Sequence, residues 1–335
     1  MDLHSVFMWF LRLIIPGVPE NNGTTDPSST IPGVPICIYA EKVCPNPDIK
    51  FYLYTTEHPE PRLLDLNYPD NITSSLFMMG SPFKLLLHGY VANYTKYPNS
   101  VLGPVYLSSG NYNVIAADYG DFVPDGCYVQ AIINLPVLAN CTAQLIDFLV
   151  KKMNVPLQDI HVIGFSLGAQ VAGQTRNFIT VGKLKRITGF EPAGPLFLQY
   201  GNKRYILSKD DAEFVDIVHT NAGLLGQLDA LGHVDFYMNG GPLQPDCQLT
   251  DIICSHRRSN LYFSESITTQ TGFWGYHCSQ KIYAVAFPFL CDSGYNIIMG
   301  EYVNSSARGI YRVDTNGKSP FAIGKHRISP LTGRH

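Results

Sequence analysis

A serine sits between two glycines in Gly164-Phe165-Ser166-Leu167-Gly168, directly after the apolar run 159–163 and directly before a helical stretch carrying Ala169, Val171 and Ala172. A strand that turns abruptly into a helix brings backbone segments so close together that glycine is needed on both sides. The serine hydroxyl is left exposed at the helix N-terminus, where it can act as a nucleophile. The plainer alternative is an ordinary glycine-rich turn, and the flanking strand and helix argue against it. A serine hydroxyl is too weakly acidic to attack an ester unaided, so a histidine base and a carboxylate must accompany it. Among the histidines that follow, His256 in Cys254-Ser255-His256-Arg257 opens a new segment after a cysteine pair. His219 lies inside an apolar strand, and His233 and His277 flank aromatics, which suits hydrogen-bonded structural roles. His256 is therefore the expected base. Charge developing on a substrate carbonyl oxygen calls for two N–H donors. One is expected from Leu167, the other from Tyr90 in His88-Gly89-Tyr90, which follows the strand 83–87. The alternative for that loop is a turn that only closes a buried strand.

Elements to position these residues can be read around them. Apolar, β-rich runs recur at 51–56, 83–87, 112–117, 160–165, 185–190 and 214–218. The clearest helix is 129–153, where Ile133, Val137, Leu138, Leu145, Phe148 and Leu149 recur at three to four residue spacing and Pro136 predicts a kink or early break. A second helix is expected from Ser166 towards Ile179. Strands that read as nearly continuous hydrophobic runs, alternating with helices, indicate an α/β fold with a mostly parallel central sheet covered by helices on both faces.

A chain of 335 residues with 45% hydrophobic residues can bury a large core, and a net charge of -3 gives no basic footprint for nucleic acid. The eight cysteines form no C-x-x-C pair, so disulfides are expected and a structural metal is not. Sequons at Asn22, Asn71, Asn93, Asn140 and Asn304 point with them to glycosylation and an extracellular, secreted protein. Residues 6–15 have the length of a leader's apolar core but are interrupted by Arg12, and ten residues are too few to span a bilayer. No other segment is expected to span. Residues 15–35 turn to Pro, Gly, Asn, Ser and Thr. The expected organisation is an atypical leader and linker over 1–35 and a single catalytic domain over 36–335.

The Leu-His-Gly-Tyr turn, Gly-Phe-Ser-Leu-Gly-Ala-Gln, Gly189-Phe190-Glu191-Pro192-Ala193-Gly194-Pro195, Gly232-His233-Val234-Asp235-Phe236-Tyr237 and Cys-Ser-His-Arg, in this order, resemble the pancreatic lipase family. The resemblance covers residues 44–324 and is strongest to the insect branch that includes secreted and venom phospholipases A1. It implies the α/β-hydrolase fold, a Ser-acid-His triad that needs no cofactor, and an acid at Glu191, where the family pattern has Asp. The extra methylene displaces the carboxylate by roughly a C–C bond and adds a rotor. The fold's other acid position, at the end of the next strand, is Asn221, and Asp216 lies too early in that strand.

The resemblance also implies a lid bounded by Cys247 and Cys254, enclosing Gln248, Leu249, Thr250, Asp251, Ile252 and Ile253. Cys44 is expected to pair with Cys127, with the full connectivity open. The lid and the segment 221–231 are both short, as in the phospholipase A1 members, which implies an open site for a phospholipid or other lipid ester at a membrane or micelle surface. The apolar lid residues either meet that surface or pack inward. The chain stops soon after Gly309-Ile310-Tyr311-Arg312-Val313, so neither the family's C-terminal β-sandwich nor colipase binding is expected. Phospholipase A1 is the first reading. A neutral glyceride or galactolipid lipase, or a catalytically impaired lipid-binding relative of the yolk-protein kind, are the alternatives.

Overall fold

Nearly continuous apolar runs such as 83–87 and 160–165 require cover on both faces, and the fold supplies it. The computed structural model describes residues 36–197 and 203–325. The expected leader and linker, and the sequon at Asn22, lie outside the described residues. An 11-stranded sheet has the order β10-β9-β11-β8-β7-β6-β5-β3-β4-β1-β2. These strands are β1 (Lys50–Thr55), β2 (Arg62–Leu63), β3 (Phe83–Leu87), β4 (Asn113–Asp118), β5 (Ile160–Phe165), β6 (Leu184–Phe190), β7 (Ala212–His219), β8 (Val234–Met238), β9 (Phe273–Cys278), β10 (Tyr295–Met299) and β11 (Gly309–Val313). From β4 through β3, β5, β6, β7 and β8 to β11 every pairing is parallel. The flanking pairs at both edges are antiparallel.

Helices α2 (Tyr128–Met153) and α3 (Leu167–Gln174) cover one face, and α1 (Asn99–Ser109) and α4 (Ile252–Ser266) cover the other; α5 (Lys281–Ala286) packs on β11 and β9. Period-two side-chain alternation divides the core between them. Leu85 and Leu87 pack with Leu135, Leu138 and Ala169, whereas Leu86 packs with Leu102, Tyr106 and Tyr262. The fold is therefore the expected α/β-hydrolase type, mostly parallel and covered on both sides.

Several expectations need correction. α2 passes through Pro136 without ending. It is also long and apolar enough, by length and composition alone, to cross a membrane, although 67% of its most apolar window is buried inside the fold. Cys44 pairs with Cys141 rather than Cys127, and Cys127 pairs with Cys37. The reason is a match of lengths. From Cys37 to Cys44 an extended chain spans about 23 Å, and from Cys127 to Cys141 a helix rises about 21 Å. The segment therefore lies along α2 and is tied at both ends. Between the ties, Asn134 accepts from Ala40 N–H at 2.9 Å and donates to the Ile38 carbonyl at 2.9 Å. Cys247–Cys254 forms as expected, and Cys278–Cys291 completes the set.

Candidate functional site

Strand register gathers the candidate residues. Leu87 lies beside Gly164, Phe165 beside Phe190, and Phe190 beside Val218. The loops that follow β3, β5, β6 and β7 thus emerge together at the carboxyl end of the sheet, where open α/β sheets place their sites.

Ser166 occupies the turn from β5 into α3 with φ +56° and ψ -117°. Its N–H donates to the Phe190 carbonyl at 2.9 Å, and its carbonyl accepts from Ala193 N–H at 3.2 Å. These bonds to the neighbouring loop hold a conformation that is costly for a side-chain-bearing residue. At Gly168 a Cβ would lie 2.2 Å from the Leu87 carbonyl oxygen and 2.5 Å from that of His88. The turn therefore sits directly against the start of the His88-Gly89-Tyr90 loop.

That loop is fixed by a neutral histidine. Tyr119 N–H donates to His88 Nε2 at 3.2 Å, so the ring proton is on Nδ1, which donates to the Gly89 carbonyl at 2.9 Å. The Tyr119 hydroxyl donates to the His88 carbonyl at 2.6 Å, and the two rings stack at 3.9 Å. Burial pushes the His88 pKa down to about 4, which agrees with this neutral tautomer. Val91, at φ +52°, donates its N–H to the Val123 carbonyl and ends the loop. Leu167, as the first residue of α3, has an amide with no carbonyl in a preceding turn.

His256 lies in α4, buried, with its ring 4.7 Å from that of Phe165. Its Nδ1 is buried without a hydrogen-bond partner. Burial, helped by the adjacent Arg257 charge, pushes its pKa down to about 3. Ser166 and His256 line one pocket of about 510 Å³, together with Tyr90, Tyr97, Tyr128 and Leu225. Lys96 and Arg257, both exposed, and Asp125 stand at its edge.

Glu191 follows β6 at φ +45° and is fully buried. Its Oε2 accepts from the amides of Thr220 and, at 2.8 Å, Asn221, and from the Thr220 hydroxyl at 3.2 Å. Its Oε1 is buried with no partner. A Cβ at position 226 would fall 1.4 Å from Oε1, so the bare backbone there leaves room for this carboxylate where it now lies. Burial pushes the Glu191 pKa up to about 7, opposed chiefly by His219 and by the Thr220 and Asn221 amides. No hydrogen bond joins Glu191 to His256: one buried acceptor and one buried ring nitrogen remain unpaired. Asp216 is engaged by Arg186 at 2.8 and 2.9 Å, away from these groups. Asn221 contributes its amide to Glu191, while its side-chain oxygen accepts from Leu225 N–H.

The segment from Cys247 to Cys254, the expected lid, ends in the first turn of α4, which Asp251 caps by accepting Cys254 N–H at 3.0 Å. Leu249 is 79% exposed and Ile253 40%, so both point outward, and Ile253 also edges the pocket. Thr220, Gly226 and Lys96 were not singled out in the sequence. A strand-end His-Thr-Asn was visible, but nothing local ties it to Glu191.

The family model described as Lipase matches residues 27–321. Pancreatic triacylglycerol lipase of Mus musculus is 30% identical over 310 residues, covering 84% of this chain and 66% of that protein. Pancreatic lipase-related protein 2 of Homo sapiens is 30% identical, covering 86% and 67%. Inactive pancreatic lipase-related protein 1 of Homo sapiens is 31% identical, covering 85% and 67%. The chain spans about two thirds of the length of these curated relatives. Among solved structures, Est1E from Butyrivibrio proteoclasticus overlaps with a TM-score of 0.32 at 13% identity, covering 51% of this chain and 72% of that one, too low to bear on the site. With the family model spanning most of the sequence and relatives matched at this level, the chain belongs to the pancreatic lipase family.

Proposed function

We propose that this chain is a secreted carboxylic-ester hydrolase acting on lipids, with Ser166 as nucleophile, His256 as base and Glu191 as acid. The observation that carries the reading is the single pocket in which Ser166 and His256 meet, with the buried Glu191 carboxylate set behind them on the next loop. In this reading His256, kept neutral by its buried setting, takes the Ser166 proton as Oγ attacks the ester carbonyl. The Tyr90 and Leu167 amides stabilise the oxyanion. The alcohol leaves with the proton from His256, and water then releases the acyl group by the same steps. Glu191 serves by accepting from His256 Nδ1 once that ring becomes positive. Bonds of this kind often tighten only with substrate present. Its unpaired Oε1 and the unpaired Nδ1 are a complementary acceptor and donor.

For substrate, we favour phospholipids cleaved at the sn-1 ester. The short lid and the short segment before Gly232 support it, as do Lys96 and Arg257 at the pocket edge, which suit a phosphate. The outward Leu249 and Ile253 suit contact with a lipid surface. The four disulfides and the exposed sequon residues Asn71 and Asn304 support a glycosylated, extracellular protein. Asn140 is less suited, because its sequon Thr142 is buried in α2.

A second reading has a specific observation behind it: Glu191 and His256 are not bonded, as expected of a relative whose catalysis is impaired. Incubation of purified protein with phosphatidylcholine and with triacylglycerol, separately, decides among these. Release of lysophospholipid lacking the sn-1 chain is expected. Faster triacylglycerol turnover reverses the substrate choice, and no product from either supports the impaired reading.

A further inference from the structure

His219 ends β7 immediately before Thr220 and Asn221, the two residues whose amides hold Glu191 Oε2. Both nitrogens of its buried ring face acceptors. Nδ1 lies 3.1 Å from the Gln227 carbonyl oxygen, and Nε2 lies 2.8 Å from Asp235 Oδ1. A carbonyl oxygen has no proton to give, so Nδ1 donates. Asp235 also accepts two backbone amides: Oδ1 takes Leu231 N–H at 2.9 Å, and Oδ2 takes Gly232 N–H at 2.9 Å. Nε2 thus faces a carboxylate oxygen, and Nδ1 a carbonyl oxygen. The His219 ring has an acceptor at each nitrogen, an arrangement that suits two ring protons, whereas His88 faces one donor and one acceptor. Its ring stacks on Tyr237 at 4.2 Å and is fully buried.

The same contacts fix the turn from Asn221 to Gln227. His219 holds Gln227 by its carbonyl, and Gln227 N–H donates to the Pro192 carbonyl at 2.8 Å, one residue beyond Glu191. Gly226, inside this turn, forms the wall against Glu191 Oε1. We propose that His219, held as an imidazolium between Gln227 and Asp235, is a positioning residue for the triad: it clamps this turn over Glu191 and supplies the buried positive charge that balances its carboxylate. The proposal rests on Glu191 being the acid.

The test is a double-mutant cycle on the full chain with p-nitrophenyl butyrate, a soluble ester that requires no lipid surface. His219→Gln keeps donor capacity but loses the charge. It is expected to lower kcat at least tenfold with KM within twofold. In the Glu191→Gln background the same change should cost less than twofold, because no carboxylate is left to hold. Equal losses in both backgrounds overturn the positioning role while leaving Glu191 in place. Wild-type activity in Glu191→Gln alone removes the acid assignment and, with it, this proposal. Should His219→Gln fail to fold, neutron diffraction of the wild-type protein decides: deuterium on both His219 nitrogens is expected, and one ring deuterium with a deuterated Asp235 overturns it.

Discussion

The two halves of the site are finished to different degrees. On the nucleophile side, the Ser166 turn and the His88-Gly89-Tyr90 loop are locked by bonds that leave no backbone choice: Ser166 is held by Phe190 and Ala193, and His88 by Tyr119 at three points. On the acid side, Glu191 Oε1 and His256 Nδ1 are both buried and both unpaired. Buried polar atoms are almost always partnered, and exceptions mark strain or function. On the proposed roles, the difference places preorganisation where the oxyanion would form. On the same proposal, Glu191 and His256 complete their contact only when the imidazole gains its proton.

The strongest challenge to that comparison is Ser166→Ala, which should abolish ester hydrolysis with secretion and folding intact. Equal rates in wild type and variant would remove the nucleophile assignment. Next comes Glu191→Gln, expected to lower kcat by about 10³ to 10⁴ if the acid side completes during turnover. Glu191→Asp then reports geometry: a held or raised rate means the backbone has kept the place of a shorter acid, and a fall means it has retreated.

The pH dependence should separate the halves as well. His256, with its pKa pushed down to about 3, stays neutral across the working range. Glu191, pushed up to about 7, loses its charge as pH falls. Activity should therefore decline as pH drops through about 7, and a limb near 3 would contradict this. The sign for stability is reversed. A carboxyl whose folded pKa lies above its usual 4.5 favours folding below 4.5, and that contribution is lost as pH rises towards 7. Glu191→Gln should accordingly melt above wild type at pH 8 and lose that advantage towards pH 4, as thermal unfolding would reveal.

Tyr119→Phe tests the other half. It strips the buried His88 carbonyl of a donor, with an expected cost of about 1–3 kcal/mol in stability and a smaller change in kcat. A larger fall in kcat than Glu191→Gln would invert the comparison. The smallest effect is expected from Lys96→Ala and Arg257→Ala, about two- to fivefold each in KM for phospholipid vesicles, weakened by salt and absent with a soluble neutral ester.

Much of this was legible in the chain. The parallel strands around the serine are buried on both faces, so β3, β5, β6 and β7 read as continuous apolar runs with ends close to those observed. Strands β8 to β11 did not. β9 carries Trp274, Gly275 and His277, and β11 is half-buried with Arg312, so neither period nor composition isolates them. Disulfide pairing depended on two segments having equal length in different conformations, which no spacing within one segment reveals. The setting of Glu191 depended on Thr220, Asn221 and Gly226, brought close only by the β6–β7 pairing. His219 was read as a structural histidine because its surroundings are apolar; its charged partner, Asp235, comes from the next strand over.

The bare backbone at Gly226 also governs which sequences can be reached from this one. While position 226 has no side chain, position 191 can alternate between the shorter and longer acid in either direction. With any other residue at 226, its Cβ would occupy the volume that Glu191 Oε1 now fills, and the carboxylate would have to move. Glutamate at 191 in this placement and a bare backbone at 226 therefore go together, and a change at either position is felt at the other.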